Sequence, residues 1–143
     1  PLLHHQIVIA GQHPRRELRQ KAARYPQIKL IQNPDHLEMD RLIQQAHVHL
    51  LPAFQKSGIK LKLLHALYRG RFVIANAMMA GGSGLESILQ VAETPTDFAN
   101  AIQSVFKKTF NLEEISFRKK LLEEKFSNAR GAAQLIQLLD SDW

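Results

Sequence analysis

Between Ser57 and Asn76 the chain reads SGIKLKLLHALYRGRFVIAN, a helical pattern running straight into a short, continuously apolar strand. The spacing predicts a helix over Ser57–Arg69 with Ser57 as its cap. Phe72–Ala75 (FVIA) follows as a strand of the kind buried on both faces. On that helix Gly58, Lys62, His65 and Arg69 share one stripe. Leu61, Leu64, Leu67 and Tyr68 flank it on one side, and Ile59, Leu63 and Ala66 on the other. Apolar residues over most of the circumference predict burial over most of it. The polar stripe then needs a partner, because an unpaired buried charge is costly. Gly58 allows close approach to the backbone, and first-turn amides favour an anion. Lys60 and Lys62 concentrate positive charge at the same end, so a diphosphate is the expected ligand. The competing reading is that both lysines reach water along a partly exposed helix.

The same alternation extends outward in both directions. Gln6–Ala10, Ile28–Ile31, His47–Leu51 and a short stretch near Ile88–Ala92 read as further strands. Pro14–Tyr25 and Asp35–Gln45 read as helices, with Asp35 a cap. From Thr96 onward the pattern is helical only, with breaks near Asn111 and Ser127. Strands alternating with helices predict an α/β fold, a Rossmann-like three-layer αβα arrangement with a mostly parallel sheet and an all-helical C-terminal part. In such sheets ligands bind beyond the carboxyl ends of the strands. The loops of interest are therefore Gly11–Pro14, Gln32–Asp35, Pro52–Gly58 and Asn76–Gly84.

With 143 residues, 45% hydrophobic and 22% charged, the chain is expected to form one globular domain spanning residues 1–143. It contains no cysteine, which excludes disulfides and thiolate metal sites and fits a reducing compartment. No apolar run approaches the roughly 20 residues that cross a bilayer. The first residue is Pro1 with no initiator Met, and we expect a piece of something longer. A net charge of +6 favours anionic partners. The basic residues are scattered over three helical stretches, around Arg15–Arg24, Lys107–Lys108 and Arg118–Lys120, where solvated helix faces are the simplest account.

IVIAG, the Asn33-Pro34-Asp35 turn, LIQQAHVHLLPAF and SGIKLKLLHALYRGRFVIAN together resemble the carboxyl-terminal half of group 1 (family-4) glycosyltransferases of the GT-B fold. Many members carry E-G-F-G-x4-E-A before a conserved strand. One branch has G-(I/V)-K-L-K-x-L-E-A-L instead, and Gly58–Leu67 is similar to that form. The resemblance runs from Ile7 to about Leu139 and is most specific over Gly58–Ala75. It implies a bacterial-type transferase of polysaccharide biosynthesis, hexosyltransferase-like, retaining, and independent of metal or other cofactor. The implied donor is a nucleotide-diphosphate sugar, bound by Gly11, Gln12, Asn33, Ser57, Gly58, Ile59, Lys60, Lys62 and His65. His13 and Pro34 belong to the same loops. No catalytic residue is assigned. Two positions depart from the family: Ser57 and His65 stand where an acidic pair is usual. A neutral imidazole still exchanges a hydrogen bond with a ribose hydroxyl, but the lost carboxylates leave the sugar open.

The resemblance further implies a glycan or lipid-linked acceptor held by an amino-terminal domain outside this chain. The isolated fragment is expected to be inactive and free to self-associate. Localisation is expected to be cytoplasmic, with peripheral attachment of the full-length protein to the membrane's inner face, and no nucleic-acid partner is expected. One strand-helix unit of the donor domain is also expected to be missing. It would supply the central strand of a 3-2-1-4-5-6 sheet, so the sheet closes around the gap, another chain fills it, or the boundary lies elsewhere. Two alternatives stand beside the enzyme. One is a non-catalytic α/β nucleotide- or nucleic-acid-binding module, for which aromatic stacking motifs are wanting. The other is a degenerate transferase domain that scaffolds partners. His47 and His49 share a strand face without a third metal ligand in view. Gly81-Gly82-Ser83-Gly84 suggests a phosphate cradle but lacks the P-loop order.

Overall fold

The computed structural model describes residues 5–55 and 60–141, for Ser141 the backbone only. It falls into two compact units, 1–46 and 47–143. In the first, β1 (Ile7–Gly11), α1 (Arg16–Ala22), β2 (Ile28–Gln32) and α2 (His36–Gln45) follow one another. β1 and β2 pair in parallel, Ile7 opposite Ile28 and Gly11 opposite Gln32. Asp35 caps α2 as the sequence predicts, its carboxylate accepting from the Glu38 amide at 2.7 Å. α1 is shorter than Pro14–Tyr25. The apolar run of β1 is not buried on both faces: Ile7 and Val8 are 37% and 41% exposed. β1 has β2 as its one ladder partner among the described residues.

The second unit contains β3 (Val48–Leu51), α3 (Leu61–Arg69), β4 (Phe72–Ala75), the one-turn α4 (Ala77–Ala80), β5 (Gln90–Val91), α5 (Pro95–Phe106), α6 (Leu112–Phe126) and α7 (Asn128–Ser141). Its parallel sheet has the order β3-β4-β5. Val73, Ile74 and Ala75 of β4 are buried, as their unbroken apolar run requires. Alternate residues serve opposite faces. Val73 packs with Leu63, Ala66 and Leu67 of α3 and Leu122 of α6, whereas Ile74 packs with Val105, Phe98, Ala101 and Ile102 of α5. That is a three-layer αβα unit. Full burial of a side chain such as Leu63, Leu67 or Ile74 contributes about 2 kcal/mol. The predicted breaks near Asn111 and Ser127 both occur, and Asn111 caps α6 through the Glu114 amide at 2.9 Å.

Three expectations need correction. The strands lie in two sheets, one per unit, rather than one continuous sheet. α3 begins at Leu61, because Lys60 at φ −82°, ψ 60° is bent out of helical geometry. Arg118 is no solvated cation: it is 7% exposed, the one charged side chain buried among the described residues. Its Nη1 donates to the carbonyl of Arg71 and its Nη2 to that of Gly70, each at 2.5 Å, while the guanidinium sits 4.6 Å from the Phe110 ring centre. Burial pushes the Arg118 pKa below its ordinary value and the Glu114 carboxylate opposes that. The planar fork satisfies two backbone acceptors where the chain enters β4.

Gly70 has its own constraint. A Cβ there would lie 2.2 Å from His49 Nε2 and 2.7 Å from the Ala66 carbonyl oxygen, so only glycine fits. His47 sits between Phe72 and Phe106, with ring centres 5.3 and 5.1 Å away and Nε2 3.3 Å from the Val105 carbonyl oxygen. Both histidines are thus set in packing contacts. Among the described residues no three His, Cys, Asp or Glu side chains gather as a metal site.

Replacing Arg118 with Ala removes two charge-assisted bonds from the Gly70 and Arg71 carbonyls and is expected to cost about 3 kcal/mol, read as a lower urea midpoint. Arg118→Lys should recover only part of it, since an ammonium cannot reproduce the fork. α5 supplies a pH test. Its capping box pairs the Thr94 amide with Asp97 Oδ2 at 2.9 Å and the Asp97 amide with the Thr94 hydroxyl at 3.1 Å. The Thr94 amide, then its hydroxyl, hold the Asp97 carboxyl below its ordinary pKa. A carboxylate whose folded-state pKa is depressed contributes stability above the unfolded value and loses it as pH falls through the folded one. The stability difference between wild type and Asp97→Asn should therefore be constant near neutrality and shrink below about pH 4.

Candidate functional site

The strands of each sheet are parallel, so the loops at their carboxyl ends gather at one end of that sheet. In the first unit these are the loops after β1 and β2, and they are knitted together. The Asn33 amide donates to the Gly11 carbonyl at 2.9 Å, extending the ladder by one residue. Asn33 Oδ1 accepts from the His13 amide at 2.7 Å, and Gln12 Nε2 reaches the Pro34 carbonyl at 3.3 Å. His13 and Asn33 are both in the left-handed region, at φ 46° and 52°. That conformation costs roughly 1–2 kcal/mol for a residue with a Cβ, least for Asn. Three predicted donor residues, Gly11, Gln12 and Asn33, are thus brought together with His13 in a strained loop pair. Such strain concentrates at binding and catalytic loops.

In the second unit the predicted residues divide. Ser57, Gly58 and Ile59, with the Ser57 cap, lie outside the described residues. Lys60 occupies the cap position of α3 with no side-chain capping bond. Its Nζ donates to the Gly81 carbonyl at 2.7 Å, leaving two ammonium protons for other acceptors. Lys62, His65 and Arg69 are exposed, as are Leu61 at 68% and Tyr68 at 48%. α3 therefore buries only one face, Leu63, Ala66 and Leu67, and not most of its circumference. The polar stripe meets water, and burial places no demand on it for a partner.

Two residues with structural roles at this rim escaped the sequence reading. Asn76, directly after β4, pairs its carboxamide with one backbone residue of the loop after β3. Nδ2 donates to the Ala53 carbonyl at 2.7 Å and Oδ1 accepts from the Ala53 amide at 2.9 Å. The same Oδ1 takes the Met79 amide at 3.2 Å and caps α4. Glu93, after β5, accepts from the Ala77 amide at 2.6 Å. An Asn between a buried strand and a short helix is a legible cap. Its pairing with Ala53, 23 residues away, leaves no sequence signal.

In the Gly81–Gly84 turn the Ser83 side chain bonds locally. The Ser83 hydroxyl donates to the Ala80 carbonyl and accepts from the Leu85 amide, while Gly82 and Gly84 take φ values of 73° and 67° that the turn needs. A cleft of about 920 Å³ lies beside Ser83 and runs along the α6–α7 junction, lined in part by Lys125, Asn128 and Arg130. None of the predicted donor residues that the structure describes lines it.

The motif-bearing strands and loops, from β1 through α3 to the Gly81–Gly84 turn, all fall within residues 1–108, and that span matches a family model described as glycosyl transferases, group 1. The chain belongs to this family. The match ends after α5, short of the Leu139 that the sequence resemblance reached. No curated protein and no solved structure matches the chain. No helix among the described residues of this glycosyltransferase is long and apolar enough to cross a membrane.

Asn33 tests how much of the loop pair's cohesion is strain and how much is bonding. Asn33→Gly removes the side-chain acceptor yet tolerates positive φ, and should lose about 1 kcal/mol of local stability. Asn33→Ala adds the left-handed penalty and should lose about 2. Amide exchange at His13 reads both, faster in the Ala variant; equal rates would exclude backbone strain as a component.

Proposed function

We propose that this chain is most of the carboxyl-terminal, nucleotide-sugar-binding domain of a GT-B glycosyltransferase, acting on a glycan or lipid-linked acceptor. The observation that carries the reading is the family match, which spans every residue of the predicted donor set, Gly11 through His65. The loop pair of Gly11, Gln12 and Asn33 supports it, being held in strained geometry at strand carboxyl ends. In this reading the loops after β1 and β2 approach the nucleoside. Ser57, Gly58, Ile59, Lys60 and Lys62 meet the diphosphate end, Lys60 with the donors left over from Gly81 and Lys62 from the solvent face of α3. His65 takes the ribose hydroxyls in place of a carboxylate. The chemistry is retaining sugar transfer without a metal. An amino-terminal domain supplies the acceptor, so the isolated fragment does not turn over, and the whole protein works in the cytoplasm at the inner face of the membrane.

The test is calorimetric titration of UDP, GDP and ADP into the intact protein. One of the three is expected to bind, and Lys62→Ala to weaken it about tenfold, the loss of one charge-assisted contact worth about 1.4 kcal/mol. The site assignment fails if none binds or if Lys62→Ala binds as wild type does. Donor binding with no sugar transfer in the intact protein would instead identify a scaffold that keeps the site and has lost the reaction.

A further inference from the structure

We infer that α1 and its flanks form a docking surface for an anionic lipid bilayer. The inference rests on the membrane-face location proposed above and names the surface that makes the contact. Residues 15–24 read RRELRQKAAR, five cations and one carboxylate, a net +4 in ten residues. The whole chain is +6, so all the rest of it together holds only +2. Arg15, Arg16, Arg19, Lys21 and Arg24 are all exposed, while Ala22 is the one buried residue of α1.

An ordinary solvated helix face in this molecule is composed differently. α6 carries four basic and four acidic side chains, with Lys119 and Glu123 paired at 3.8 Å one turn apart. Such mixing stabilises an exposed helix. Over residues 15–24 Glu17 can offset one cation, the Lys21 four residues on. Arg16 and Arg19 stand three apart, where like charges repel. The cluster therefore costs the helix stability, and an anionic surface offsets that cost. α1 is about 10 Å long, comparable to the Debye length at physiological ionic strength, so its cations act as a single field. Their long stems let groups on both flanks converge on one plane. Clusters of roughly four to eight Lys and Arg on a helix are what anionic phospholipid headgroups attract. Leu18 and Tyr25, 38% and 52% exposed, stand among the cations. An apolar side chain and a tyrosine beside a basic helix suit the boundary between headgroups and acyl chains. That apolar component favours a bilayer over nucleic acid, whose non-specific contacts are electrostatic.

The test is co-sedimentation of the intact protein with phosphatidylcholine vesicles, with and without phosphatidylglycerol, beside calorimetric titration of UDP, GDP and ADP. Binding is expected to the anionic vesicles alone, weakening as salt is raised. Arg16→Gln combined with Arg19→Gln should weaken it roughly thirtyfold, about fivefold per cation at about 1 kcal/mol each. Lys119→Gln combined with Lys120→Gln removes the same charge from the mixed face of α6 and should bind nearly as wild type does. All four side chains are exposed, so both double variants should keep the wild-type thermal midpoint. An Arg16/Arg19 variant that binds as wild type does, or equal losses in the two double variants, would overturn the α1 surface. Wild type that ignores the anionic vesicles and binds a mixed-sequence oligonucleotide would overturn it in favour of nucleic acid. Vesicle binding through α1 with no nucleoside diphosphate bound leaves the surface standing and removes the donor site.

Discussion

β4 carries a hydrogen-bonded ladder on each side, the one strand among the described residues that does, and the second unit is hung on it. Its two faces anchor separate apolar clusters, α3 and α6 on Val73 and α5 on Ile74. Its two ends are held by side chains from distant parts of the chain. Arg118 grips the carbonyls of Gly70 and Arg71 at the entrance, and Asn76 at the exit holds Ala53. A four-residue strand fixed at both ends and on both faces gives the adjacent loops a rigid base. Binding groups on loops need such a base to be held in a defined geometry.

The first unit works differently. Its two strands leave apolar side chains of β1 half in water, and its order at the carboxyl ends comes from loop-to-loop bonds. Asn33 serves both the ladder, through its amide, and the His13 backbone, through its side chain. An Asn is suited to that double duty because it tolerates the left-handed region and still offers an acceptor. The lysine-rich start of α3 illustrates a related economy. Lys60 ties α3's start to the Gly81 carbonyl, and in the proposed function the same ammonium also meets the diphosphate.

Local chemistry was legible in the sequence. The buried run Phe72–Ala75, the Asp35 cap, the helix breaks at Asn111 and Ser127, and the family-specific string Gly58–Ala75 all depend on residues within a few positions of one another. Parallel pairing of β1 and β2 then brings Gly11, Gln12 and Asn33 together at the strand carboxyl ends. The start of α3 was misread because the helical pattern of SGIKLKLL continues through a residue whose backbone leaves helical geometry at Lys60.

The amino-acid sequence by itself determined the α/β alternation and the family, since periodicity, caps and motif spacing are short-range properties. Tertiary structure alone decided that Arg118 is buried, that the Lys62–His65–Arg69 stripe faces water, and that Asn76 holds Ala53. Those outcomes turn on contacts across 23 to 48 residues and on which face of a helix meets the sheet. A side chain's charge and spacing do not encode them, because the same arginine or asparagine is as stable in water as in a site that satisfies all its hydrogen bonds.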